Sequence, residues 1–207
     1  MLKALDMEYV IFDVETTGLS PLEGDRIIEI AAIRVRHGKN IETFTSLVNP
    51  GRALNAEAMR LNNITEAMIK DAPTAADVLP QMADFVGGAC LVAHNASFDI
   101  KFLCHELSLM GRKLRAETPV LDTMKMSKAF LPYLASHRLS SLAQSLGVSV
   151  GMTHRALADV EILCEVFKRL LSMAGDYNIH QLPEMVTQFG VEKPTFRLAN
   201  ILQSSLF

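Results

Sequence analysis

Long apolar runs are missing from this chain. No stretch is long enough to span a bilayer, and the start lacks a basic region followed by an apolar one. A cytoplasmic protein with no membrane partner is therefore expected. Cysteine is scarce. Cys90, Cys104 and Cys164 are odd in number, irregularly spaced and set in apolar segments, which argues against a disulfide framework or a zinc site and reads as small buried hydrophobes. Positive charge is not in excess either. The formal net charge of -3 argues against a broad basic surface for non-specific duplex binding, but not against gripping a few nucleotides at a metal site. Internal repeats and low-complexity stretches are also lacking. What remains is a chain of 207 residues, 49% hydrophobic, which suffices for one substantial core. The expected division is a domain over 1–175 and a helical tail over 176–207.

Hydrophobic periodicity predicts alternating elements. Glu8–Val14 reads as a buried strand. Ile27–Arg36 and Ile41–Val48 read as two more, joined by a hairpin turn at His37-Gly38-Lys39-Asn40. Helices are expected over Ala53–Asn62, Thr65–Lys70 and Ala75–Val86, then a short strand over Ala89–Ala93. Ser97–Met110 has helical spacing and is closed by Gly111. A fifth strand at Pro119–Asp122 precedes helices over Thr123–Phe130, Leu139–Leu146 and Thr153–Met173. Three strands followed by strand–helix units imply an α/β domain with a mixed sheet.

Acidic residues in three segments carry the chemistry. Asp13 and Glu15 follow the apolar run Tyr9-Val10-Ile11-Phe12. Residues two apart on a strand share a face, so both carboxylates project together from its end, and no basic residue lies between Ala4 and Ser20 to pair with them. A buried, unpaired carboxylate must neutralise, pair or bind a cation. Hard divalent ions such as Mg²⁺ accept oxygen ligands of this kind. Asp99 falls in the first turn of a helix that Asn95 or Ser97 can cap. A simple dipole-stabilising acid accounts for Asp99 alone, but His94-Asn95 places polar groups at the carboxyl end of the sheet, where α/β proteins build sites. His154 and Asp159 are five apart, about 140° around a helix axis. Asp159 shares a face with the apolar Leu163 and Val166 and so needs a partner. Taken singly, His154 reads as a surface histidine and Asp159 as a partner for Arg155.

In order and context, these segments resemble the DEDDh 3′→5′ exonucleases, among them the proofreading (epsilon) subunit of bacterial DNA polymerase III. The likeness rests on Phe12-Asp13-Val14-Glu15-Thr16-Thr17-Gly18-Leu19, His94-Asn95-x-x-Phe98-Asp99 and His154-Arg155-Ala156-x-x-Asp159, and extends over about Glu8 to Leu171. One departure is Asn63 before Ile64, where a glycine is expected.

The resemblance implies an RNase H-like fold, a mixed five-stranded sheet flanked by helices. It also implies hydrolysis at DNA 3′ ends, single-stranded or frayed, with two Mg²⁺ or Mn²⁺ ions. By that analogy Asp13, Glu15, Asp99 and Asp159 hold the metals and His154 is the general base, its unperturbed pKa near ~6.5 suiting that task. Thr16, Thr17, Gly18 and Leu19 would line the terminal-nucleotide pocket, and His94, Asn95 and Phe98 would contact backbone or base. Phe98 reads equally well as a core residue. A DNA polymerase is the implied partner. Two other readings stay open: a related exoribonuclease of the RNase T or oligoribonuclease kind, since choosing RNA can hinge on a few 2′-OH contacts, and an inactive interaction module. Filled catalytic positions argue against the last. In the tail, Gln203-Ser204-Ser205-Leu206-Phe207 resembles the short Gln-x-x-Leu-Phe peptide that docks on the bacterial sliding clamp, with Gln203, Leu206 and Phe207 as contacts. The plain alternative is that Leu206 and Phe207 pack on the domain.

Overall fold

The computed structural model describes residues 4–151 and 155–196. His154 and the clamp-like peptide at 203–207 lie outside the described residues. β1 (Glu8–Thr16) occupies the middle of a five-stranded sheet ordered β3-β2-β1-β4-β5. β2 (Ile27–Arg36) and β3 (Lys39–Leu47) form an antiparallel meander beside it. β4 (Cys90–Ala93) and β5 (Val120–Asp122) run parallel to β1 on its other side. The sheet is mixed, as expected. His37 and Gly38 link β2 to β3 with φ of 48° and 71°, the paired positive values of a two-residue hairpin turn.

The alternation along β1 sorts its side chains into two layers. Tyr9 and Ile11 face one core; Val10, Phe12 and Val14 face the other. The first core lies under the long helix α7 (Ala156–Asp176) and also receives α5 (Thr123–Phe130), α6 (Leu139–Ser145) and α8 (Leu182–Phe189). The second is closed by α3 (Ala75–Val86) and α4 (Ala96–Leu109). Short helices α1 (Ala56–Asn62) and α2 (Glu66–Ile69) bury Ala58, Ile64 and Ile69 near the end of the meander. Phe12, Phe102 and Phe167 are fully buried; truncating such a side chain typically costs ~3–5 kcal/mol.

Several boundaries differ from the periodicity reading. β1 continues through Glu15 to Thr16 because its ladder with β2 does, broken only by a register shift between those two residues. α7 runs from Ala156 to Asp176, past the expected end at Met173; the expected start at Thr153 lies outside the described residues. The expected side-chain cap of α4 is absent: Asn95 sits at the cap position in the left-handed region, with φ of 63° and no side-chain cap hydrogen bond. Asn63 also adopts φ of 53°, which explains why a glycine was expected there; asparagine is among the few residues that tolerate this region. Cys90 and Cys164 are buried, whereas Cys104 is half-buried.

Beyond residue 175, where a tail was expected to begin, Met185 and Phe189 of α8 pack into the first core. The Val191 N–H donates to the Val120 carbonyl at 3.0 Å, and Lys193 Nζ donates to the carbonyls of Arg115, Ala116 and Thr118. Among the described residues, no helix is long and apolar enough to cross a membrane.

Candidate active site

Three elements deliver the four acids. Asp13 and Glu15 leave β1 on the face of Tyr9 and Ile11, the face that α7 covers. Asp159 lies in the first turn of α7. One carboxylate oxygen from each of Asp13, Glu15 and Asp159 lies within 4.8 Å of the others. Asp99 comes from the first turn of α4 and is 3% exposed. Its Oδ1 accepts the backbone N–H of Val14, the residue between Asp13 and Glu15, at 3.2 Å. Residues far apart in sequence thus meet at the end of the central strand.

The electrostatics of this cluster favour a cation. Burial and the neighbouring charges of Asp99, Glu15 and Asp159 push Asp13 well above the ordinary aspartate range. Glu15 is pushed up to about 8, first by burial and then by Asp159, Glu29 and Asp99, with Arg155 pulling the other way. Asp99 is pushed up to about 8 by burial, despite backbone hydrogen bonds from Val14 and from its own N–H. The helix-start position expected to stabilise its anion is therefore outweighed by desolvation. Like charges held this close disfavour joint ionisation. Divalent cations would remove that penalty, and an all-carboxylate donor set suits hard ions such as Mg²⁺ or Mn²⁺. The residues present fit the implied metals.

Glu29 belongs to the same neighbourhood and was missed from the sequence. It lies directly opposite Glu15 in the β1–β2 register and is 3% exposed. Arg155 reaches it with Nε and Nη2, the shortest contact being 2.7 Å. The cation expected as a partner for Asp159 thus sends its guanidinium fork to Glu29. A usable signal existed: Glu29 interrupts the apolar run Ile27-Ile28-Glu29-Ile30, and an acid in such a run needs a partner as much as Asp13 does.

The loop after β1 is tightly held. Thr16 Oγ1 donates to the Gly18 carbonyl at 2.6 Å, and Thr17 Oγ1 donates to Asp25 at 3.0 Å. Asn55 and Asn62 of the α1 region donate to the carbonyls of Thr17 and Thr16. Gly18 packs against the Asp25 carboxylate so closely that a Cβ would overlap it. Leu19, 81% exposed, stands out from this rigid loop. The other expected contacts vary in freedom. Both ring nitrogens of His94 are engaged, by Thr123 Oγ1 at 2.9 Å and the His137 carbonyl at 2.8 Å. Asn95 is exposed, with its N–H donating to Asp122 at 3.0 Å. Phe98 is half-buried, its ring 5.0 Å from that of Phe102.

The chain is similar to known proteins over most of its length. The RNase T-type exonuclease family pattern matches residues 10–167. A DNA polymerase III subunit epsilon-like protein of Rhodobacter capsulatus is 41% identical over 169 residues, which are 80% of this chain and 24% of that protein. The PolC-type DNA polymerase III of Bacillus subtilis is 37% identical over 88% of this chain and 13% of its own length. The chain therefore spans a small part of these relatives. Among solved structures, Exonuclease X in complex with 5′ overhanging duplex DNA is 29% identical with a TM-score of 0.69, covering 86% of this chain and 98% of that one. The nuclease domain of 3′hExo, a DEDDh family member bound to rAMP, has the same fold at 20% identity and a TM-score of 0.73, over 93% of this chain and 100% of that one. The chain belongs to the exonuclease family.

Proposed function

We propose that this member of the exonuclease family removes nucleoside monophosphates from the 3′ ends of DNA, in proofreading or trimming, with two divalent metal ions. The convergence of Asp13, Glu15 and Asp159 within 4.8 Å carries the reading, with Asp99 hydrogen-bonded to the strand between the first two. DNA as substrate and a polymerase as partner are supported by the names of the relatives and by the DNA-bound Exonuclease X.

Asp13, Glu15 and Asp159 would hold one Mg²⁺ or Mn²⁺, with Asp13 and Asp99 serving the second. When bound, such a pair stabilises the attacking and leaving oxygens of an in-line phosphoryl displacement. The four carboxylates offset the charge of two divalent ions, leaving the substrate phosphate to add the excess. His154, one residue before Arg155 in the chain, would take the proton of the attacking water on an imidazole nitrogen. The pinned loop of Thr16, Thr17 and Gly18 would receive the terminal nucleotide, and the exposed Leu19 would wedge against its base. A rigid receiving loop lowers the ordering cost of holding the end in line. His94, Asn95 and Phe98 would meet the backbone or a base of the strand beyond it, His94 with its ring nitrogens held by Thr123 and the His137 carbonyl. The peptide carrying Gln203, Leu206 and Phe207 would tether the enzyme to a sliding clamp and raise its concentration at primer ends.

The test uses 5′-labelled single-stranded DNA and RNA oligonucleotides of one sequence. With Mg²⁺ the DNA should shorten stepwise from its 3′ end and release monophosphates, chelator should stop this, and Asp13→Ala should lose nearly all activity while remaining folded. Undiminished cleavage by Asp13→Ala would overturn the metal assignment. Faster loss of the RNA would replace DNA with RNA as substrate.

A further inference from the structure

We infer that Glu29 is a positioning residue of the active site, clamping the start of α7 against the strand that bears Asp13 and Glu15. This rests on the nuclease reading above and deepens it. Three observations converge. Glu29 and Glu15 are paired in register on β2 and β1, and directly opposite residues of an antiparallel pair project from the same face. Glu29 is therefore held beside a proposed metal ligand by the sheet itself.

Glu29 then reaches across to α7 in two ways. Its carboxylate accepts Arg155 Nε at 3.1 Å and Nη2 at 2.7 Å. Its Oε2 also accepts the backbone N–H of Ala156 at 2.9 Å. That N–H is one of the unpaired donors at a helix start, and Arg155, the cap residue of α7, makes no side-chain cap hydrogen bond. A strand residue thus supplies a cap that is normally local.

The clamp is connected to Asp159 by one turn of helix. The Asp159 N–H donates to the Arg155 carbonyl at 3.1 Å, so the residue Glu29 grips is also the residue on which the backbone of Asp159 hangs. Arg155 is next to His154 in sequence. A shift of Arg155 would therefore move the backbone support of Asp159 relative to Asp13 and Glu15. An ion pair between a buried carboxylate and a partly exposed arginine adds little net stability. Its value here is geometric: the fork fixes both the distance and the orientation of the helix start. The guanidinium also lies close enough to Glu15 to interact with its charge, linking both strand acids to α7.

The test compares wild type with Glu29→Gln and Arg155→Lys in three assays: Mn²⁺ binding by calorimetry, kcat and KM on a single-stranded DNA oligonucleotide, and thermal unfolding in chelator. Glu29→Gln keeps an oxygen for the Ala156 N–H but loses the charge that pairs with the fork; Arg155→Lys keeps the charge but loses the planar fork of two donor nitrogens. Removal of partners that orient metal ligands typically costs ~10–100-fold in affinity or activity. The expected result for Glu29→Gln is a loss of about tenfold or more in kcat, little change in KM and weaker Mn²⁺ binding at a temperature where it is fully folded. Arg155→Lys should fall between it and wild type. A lowered unfolding temperature with wild-type kcat and Mn²⁺ affinity in the folded variants would reduce Glu29 to a stabilising residue and overturn the inference. If Glu29→Gln does not fold, Arg155→Lys decides by the same criteria. Wild type that binds Mn²⁺ but degrades no DNA would defeat the substrate reading alone, and Mn²⁺ affinity would still judge the clamp.

Discussion

Removing divalent metal should leave a protein whose stability falls as the solution turns alkaline. Glu15 and Asp99 are each pushed up to about 8 in the folded chain, whereas in the unfolded chain they ionise near pH ~4. A folded-state pKa above the unfolded one means the native state holds protons that the unfolded state has released. Stability therefore falls with rising pH until the folded carboxyls have ionised as well. At low pH buried histidines act in the opposite direction: burial lowers the pKa of His94 and His105, so acid destabilises through them. The informative window runs from pH ~6.5, where unfolded histidine is half charged, to pH ~8.5, below the ordinary range of Lys and Tyr. Across it, a single carboxyl titrating near 8 loses about 2 kcal/mol of native stability. For a chain of this size that corresponds to about 4–8 °C in the unfolding midpoint. The assay is thermal unfolding in chelator at several pH values across the window, repeated with saturating Mg²⁺ or Mn²⁺. Metal should flatten the fall and raise the midpoint most at the alkaline end, because it binds the ionised carboxylates. Glu15→Gln should lower the slope in chelator. A midpoint that stays flat or rises with pH in chelator would refute the electrostatic account of the cluster.

Other outcomes follow from single contacts. Arg26 holds the Glu106 carboxylate, 1% exposed in its side chain, through Nε at 2.7 Å and Nη2 at 2.9 Å; Arg26→Ala should cost about 3–5 kcal/mol, read as a lower urea midpoint, and an unchanged midpoint would mean that water serves Glu106 instead. Asn63→Ala should cost about 1 kcal/mol because of its left-handed backbone, whereas Asn63→Gly should be near neutral in the same thermal assay. Gly18→Ala would push on Asp25, which also holds Thr17 and Ser20; KM for DNA 3′ ends should rise while Mn²⁺ affinity stays at the wild-type value, and an unchanged KM would separate this loop from the terminal-nucleotide pocket.

Local pattern was enough for much of this protein. The limits of β2, α3 and α5 are those the periodicity predicts, since each has a clear apolar spacing or breaker at its ends. The common face of Asp13 and Glu15 follows from the two-residue period of a strand, and the glycine-like demand at Asn63 from its departure from a familiar pattern. Tertiary structure decided the rest. Glu15 and Thr16 belong to β1 only because β2 supplies a ladder for them. The desolvation that outweighs the favourable helix start at Asp99 depends on its burial beside β1. The start of α7 coincides with the grip of Glu29 on Arg155 and Ala156, residues 126 and 127 positions away. Periodicity reports which way a side chain points along its own element. It carries no information on which distant element will face it, and in this site the distant partner sets both charge balance and geometry.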